Sequence, residues 1–323
     1  MPFASLKARI DRLPSPSRRL QLGVAVAVVA TQALIAMTGA IVRVTGSGLG
    51  CPTWPQCLPG SMVPESHPEY ATLNQWIEYG NRLFTGIVGL IAVAAFVLAL
   101  LNKPRDRRYL RLAIAMPVGV AVQAVLGGIT VRMDLLWWTV AIHLLASTVM
   151  VWLATLLVHA IPREDARPGI GSRTIGRWLY VQTALLAGIL VTGTMVTGAG
   201  PHGGDPDTPR LAIPVETLAH VHASFLYAFL GSLVLLGFWL RGVADPPWRR
   251  YQVLAGVVLA QGTIGLVQFW TGVPELLVCL HVLGAMSVIV ATASLWCGIR
   301  GYGRASDVHE VEPVAVANRP RTT

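Results

Sequence analysis

Long apolar runs, interrupted by short polar or basic stretches, dominate the chain. Eight of them lie near 20–42, 78–101, 109–131, 136–160, 177–198, 215–240, 251–271 and 275–298. Each has about the 20 residues that a helix needs to cross a ~30 Å hydrocarbon layer. The runs are continuous rather than alternating at every second residue, which predicts helices and not barrel strands. The first run is too long for a signal-peptide core and lacks a convincing cleavage site, so it is kept as a helix. The expected fold is an all-α membrane protein with eight transmembrane helices.

Polar residues inside these runs are few and fall at matched depth. Asn81, His143, His222 and His281 each sit within the first turns of the second, fourth, sixth and eighth runs. An imidazole in hydrocarbon is costly, usually faces the bundle interior, and marks a function by default. Repeated imidazoles at one depth suit a flat metallocofactor held between helices.

The chain also echoes itself. Thr45–Gly48 (TGSG) ends the first run and Thr197–Gly200 (TGAG) ends the fifth. Gln123 stands 20 residues before His143, and Gln261 stands 20 before His281. Ala141–Ala146 (AIHLLA) resembles Cys279–Gly284 (CLHVLG). Asn81 precedes His143 by 62 residues and His222 precedes His281 by 59. Two four-helix bundles are expected, 20–160 and 177–298, related by a pseudo-twofold axis along the membrane normal because each half has an even number of spans. Residues 1–19 form an N-terminal segment, 161–176 a linker, and 299–323 a polar tail expected to be disordered.

Composition agrees. Charged residues are 13% and hydrophobic residues 54% of 323, against roughly 25% charged in soluble domains. The net charge of +9 does not point to nucleic acid, because 21 of the 25 basic residues fall before the first run, in alternate loops and in the tail. That asymmetry places both termini in the cytoplasm of a multi-pass plasma-membrane protein. The opposite loops carry Glu65, Glu69, Asp205 and Asp207, and the pair Cys51 and Cys57. On that oxidising side the pair reads as a disulfide or as two free thiols; a zinc site lacks a second ligand pair nearby. Cys279 and Cys297 read as packing residues.

His222 and His281 can ligate a haem iron on both faces, or simply bond to backbone carbonyls. His220 projects from another face of its helix. In the first half Asn81 stands where a second imidazole would be, and Asn ligates iron poorly. A haem on His143 would keep an open face, as a substrate site requires. Glu78 lies three residues before Asn81 and so shares its helical face. A carboxylate there can stabilise a cation or move a proton, or merely pair with Arg82 at i,i+4. Arg43, Arg82 and Arg132, at outer helix ends, suit haem propionates or snorkel to the interface. Trp54, Trp76, Trp137 and Trp138 fit an aromatic belt.

Thr38–Cys51 (TGAIVRVTGSGLGC), the Cys51/Cys57 loop, Glu78–Arg82 (EYGNR), His143, His222 and His281 together resemble the haem A synthase family across 20–298. The resemblance implies an oxidoreductase acting on CH or CH2 groups. It would oxidise the C8 methyl of haem O to a formyl group through hydroxylated intermediates. It implies haem O as substrate in the first half, near His143, Asn81, Arg82 and Arg43, and haem b between His222 and His281. It makes Glu78 the essential glutamate and Cys51–Cys57 a loop disulfide. Asn81 replaces a family histidine, as in an actinobacterial variant. Implied partners are a haem O synthase as donor, cytochrome oxidase as recipient of haem A, and membrane lipid; a homo-oligomer is compatible. A b-type electron carrier and a haem transporter are the competing readings.

Overall fold

The computed structural model describes residues 12–163, 169–170, 172–241 and 247–302. Among them are eight helices: α1 Arg18–Val44, α2 Thr72–Leu101, α3 Arg107–Arg132, α4 Trp137–Ala160, α5 Arg173–Ala199, α6 Val215–Leu240, α7 Pro247–Trp270 and α8 Glu275–Arg300. Each is long and apolar enough to cross a membrane, and the described residues hold no strand beyond an isolated bridge, Leu58 with Ser61. The protein is all-helical and of the multi-pass membrane type. The expectations for residues 1–11, for 164–168 and 171 of the linker, and for 303–323 of the tail lie outside the described residues.

Local chemistry explains where the helices begin. Ser17, Asp106 and Ser172 cap α1, α3 and α5, their side chains accepting from Leu20 N, Tyr109 N and Ile175 N, which satisfies donors the helix leaves free. α7 opens on Pro247, whose missing N–H costs nothing at the first helical position. α2 starts at Thr72, ahead of the expected 78. Its first turns are too polar for a hydropathy window, yet they bury Gln75 and Glu78.

Helices α1–α4 pack in a ring, each against the next, with α4 closing on α1; α5–α8 do the same. The rings meet where α4 packs on α8, α1 on α8 and α5 on α4. Exchanging every helix for the one four places along maps this pattern onto itself. Small residues such as Ala92, Ala95 and Ala113 fill the first core and allow close helix approach. The second core is bulkier, with Phe229, Leu236, Leu254 and Ile289. Leu90, Val118, Tyr227 and Trp270 point outward, as lipid-facing side chains do.

One backbone detail repeats in register. The α3–α4 turn passes through left-handed Asp134 (φ 49°) and Leu135 (φ 58°), and the α7–α8 turn through Gly272 (φ 78°) and Val273 (φ 61°). Both pairs stand at the same distance before His143 and His281. Left-handed backbone is costly for Leu and Val. Its recurrence sets the register at which each imidazole enters its bundle.

Candidate functional site

In the second bundle His222 on α6 and His281 on α8 face each other, with ring centroids 6.5 Å apart and planes at 63°. His222 Nδ1 lies 3.0 Å from Ile189 O and 3.2 Å from Thr192 Oγ1. Donation from Nδ1–H to that carbonyl leaves Nε2 with the lone pair a metal needs. Gln261 places its carboxamide Nε2 3.0 Å from His281 Nδ1 and donates to His281 O at 2.8 Å. Two nitrogen–metal bonds of about 2 Å each, laid end to end with the ring radii, put imidazole centroids ~6 Å apart, and the observed spacing matches. Among the described residues no three His, Cys, Asp or Glu side chains converge on one point. The arrangement therefore fits a metal whose other ligands come from a macrocycle, as in six-coordinate haem.

Both rings rest on glycines. A Cβ at Gly193 would lie 3.2 Å from His222 Cε1, and one at Gly265 only 2.8 Å from His281 Cε1. Gly265→Ala is expected to push the His281 ring aside, at about 1–3 kcal/mol of overpacking, and to weaken or abolish the bis-imidazole absorption bands of the purified protein. Gly262→Ala is the control, since its Cβ meets only Leu226 at 3.6 Å and should leave the spectrum unchanged.

The first bundle has the same frame and different chemistry. His143 on α4 rests on Gly127, where a Cβ would sit 3.5 Å from its Cε1. Its Nδ1 is buried without a partner. On α2, Asn81 takes the place of His222, and the Thr38 hydroxyl donates to its Oδ1 at 2.7 Å. A threonine on the first helix of each half thus contacts the polar residue on the second: Thr38 with Asn81, and Thr192 with His222.

Glu78, one turn before Asn81, is only 4% exposed. The i,i+4 ion pair that the sequence left open is formed: Arg82 Nε and Nη2 donate to Glu78 Oε1 at 3.2 and 2.5 Å. Arg82 also donates to Thr53 O, Gln56 O and Cys51 O at 2.9, 3.0 and 2.8 Å. All five guanidinium donors are engaged, so Arg82 clamps the 51–57 loop over Glu78 and keeps no donor for a propionate. Cys51 N–H donates to Glu78 Oε2 at 2.6 Å, and Cys51 is joined to Cys57 by a disulfide. Trp54 from this loop covers Gly128, where a Cβ would lie 2.5 Å from its indole. Gly128 follows the Gly127 that backs His143, so the loop reaches the same turn of α3 as that imidazole. Arg132 is exposed and ties the loop down by donating to Trp54 O at 2.9 Å.

Arg43 sits at the seam between the bundles and donates to Thr197 O, while Arg210 donates to Gly200 O. These carbonyls end α5, where the helix dipole favours cations. Arg43 and Arg210 are close enough to repel each other, and partial burial holds the Arg210 guanidinium below its usual pKa. Among the described residues no carboxylate forms an ion pair with either. Sequence reasoning passed over Arg210, whose only signal was being basic on the acidic side. His220 is exposed and bonds Glu216 O at 2.6 Å, apart from the imidazole pair.

Against known proteins, residues 23–202 match the COX15-CtaA family, described as cytochrome oxidase assembly protein. The chain is 25% identical over 305 residues to Heme A synthase of Bacillus cereus (strain AH187), covering 89% of this chain and 94% of that protein. It is 24% identical over 322 residues to Heme A synthase of Brucella anthropi and 21% over 327 residues to that of Bartonella bacilliformis, covering in each case 83% of this chain and 88% of the relative.

Proposed function

This chain belongs to the COX15-CtaA family of cytochrome oxidase assembly proteins, and on that premise we propose that it is a haem A synthase, a membrane oxidoreductase that converts a methyl group of haem O into the formyl group of haem A for a terminal oxidase. The observation that carries this reading is the asymmetry between the halves. Relative to His222, the positions of Glu78 and Arg82 are held by Ala219 and Ala223. Only the first half therefore combines a single imidazole with a buried, hydrogen-bonded carboxylate. The second half has two imidazoles and no acid beside them.

The division of labour follows. His222 and His281 would hold haem b, which would supply one-electron transfer. The first bundle would take haem O as substrate, held by His143, with Asn81 where the second bundle has an imidazole. Glu78 is the group in this bundle that would stabilise positive charge developing at the C8 methyl, or accept its proton, as an external acceptor takes the electrons and the group passes through hydroxylated stages. Arg82 and Cys51 N–H hold that carboxylate in place, and the disulfide shortens the loop that covers it. Arg43, with Arg210, offers donors for haem propionates at the seam. The basic loops put both termini in the cytoplasm and the disulfide end on the oxidising side of the plasma membrane. The two halves act as a pseudo-twofold pair of bundles, 20–160 for the substrate and 177–298 for the cofactor. A haem O synthase would supply the substrate.

The test is the pigment of the purified protein. Pyridine-haemochrome spectra and mass analysis are expected to find haem b together with haem O or haem A. Haem b as the sole pigment, with no conversion of added haem O, would instead make the protein a b-type electron carrier.

A further inference from the structure

We infer that Ser147 makes His143 a loosely held, exchangeable axial ligand, while its absence from the second half lets Gln261 make His281 a permanent one. This rests on the proposal that His143 meets the substrate haem. The α3–α4 and α7–α8 pairs repeat in strict register: Gln123 with Gln261, Gly127 with Gly265, His143 with His281. Four residues past the histidine the register holds and the chemistry changes, from Ser147 to Ala285. In the second half Gln261 Nε2 reaches both His281 O, at 2.8 Å, and His281 Nδ1, at 3.0 Å. In the first half the Ser147 hydroxyl donates to His143 O at 3.0 Å and accepts from Gln123 Nε2. Gln123 is thereby left 3.4 Å from His143 O, and His143 Nδ1 is buried with no partner. One hydroxyl intercepts the carboxamide that its counterpart spends on the ring.

The consequence is chemical. An imidazole that binds iron through Nε2 carries its proton on Nδ1, and an acceptor for that proton fixes the ring and makes it a stronger ligand. As placed, the Gln261 carboxamide offers Nε2–H to both atoms; once Nδ1 carries the proton it turns to present the buried, unpartnered Oε1, exchanging its bond to His281 O for one from Nδ1–H. Gln123 Oε1 is also unpartnered, but its carboxamide is anchored on Ser147 and not on the ring. A haem that must leave after each turnover suits the weaker ligand, and a resident haem suits the stronger one.

The experiment exchanges the two residues in the full-length protein with its haems bound. Transfer of each haem to excess apomyoglobin is timed, and the ferrous iron–histidine stretch is recorded by resonance Raman. His143→Ala identifies which signal belongs to the first site. Ser147→Ala is expected to slow release from the first site by roughly 10-fold, within the range for losing or gaining such a partner, and to raise its iron–histidine frequency. Ala285→Ser should speed release from the second site. Gln261→Leu should likewise speed release there, whereas Gln123→Leu should leave first-site release unchanged. Unaltered release and frequency in Ser147→Ala, with a haem signal that still depends on His143, would overturn the inference and leave the site reading standing. A parent protein with no His143-dependent haem would overturn both.

Discussion

Glu78→Gln is expected to abolish haem A formation, by at least ~10²-fold, the scale on which loss of a group that stabilises developing charge acts, while the haem b content and spectrum of the second bundle stay unchanged. Glutamine keeps the shape of the side chain but has one acceptor oxygen where the carboxylate uses two, so it serves either Arg82 or Cys51 N–H, and it removes the negative charge. Glu78→Ala should stop the reaction as well, but less cleanly. It would leave the partly buried Arg82 guanidinium beside three loop carbonyls with neither a counter-charge nor the one side-chain acceptor that glutamine retains, and an uncompensated buried charge is destabilising. The 51–57 loop should loosen in both variants and further in the alanine one, which keeps no side-chain acceptor at this position, and limited proteolysis ranks the two. Pigments extracted from cells carrying Glu78→Gln are expected to contain haem O and no haem A; ordinary haem A levels there would remove Glu78 from the chemistry.

His222→Ala and His281→Ala are each expected to lose most of the bound haem b. Loss of even a supporting partner of a metal ligand typically weakens retention by ~10–100-fold, and an axial ligand contributes more. The low-spin spectrum of two imidazoles should disappear with either substitution and survive His143→Ala, because His143 belongs to the other bundle. An unaltered low-spin spectrum in purified His222→Ala would refute the pairing. The 6.5 Å centroid spacing makes the prediction symmetric: neither imidazole substitutes for the other.

Much of this architecture is legible in the order of residues, because it depends on local quantities. Hydrocarbon thickness sets the length of an apolar run, so eight helices follow from hydropathy alone. The matched intervals Gln123–His143 and Gln261–His281 survive as a spacing because a helix–turn–helix pair has a fixed register. The cysteine pair is close in sequence as well as in space. Even the early start of α2 has a local reason: Gln75 and Glu78 are polar in composition and buried in place.

What the one-dimensional pattern left undecided was the choice of partner for each polar group. Arg82 reads as a propionate ligand, as a residue snorkelling to the interface or as the partner of Glu78. Its five bonds to Glu78 and three loop carbonyls decide the matter only once the 51–57 loop folds over α2. Arg43 and Arg210 come together only because α5 ends beside α1, and Ser147 matters only because α3 brings Gln123 against it. The chain by itself determined how many helices cross the bilayer and which of them carry imidazole, since burial of apolar surface and the cost of polar groups in lipid act on each segment separately. Tertiary structure alone decided which donor meets which acceptor, because backbone carbonyls have no signature in the sequence and a hydrogen bond forms only where packing brings its two atoms within about 3 Å.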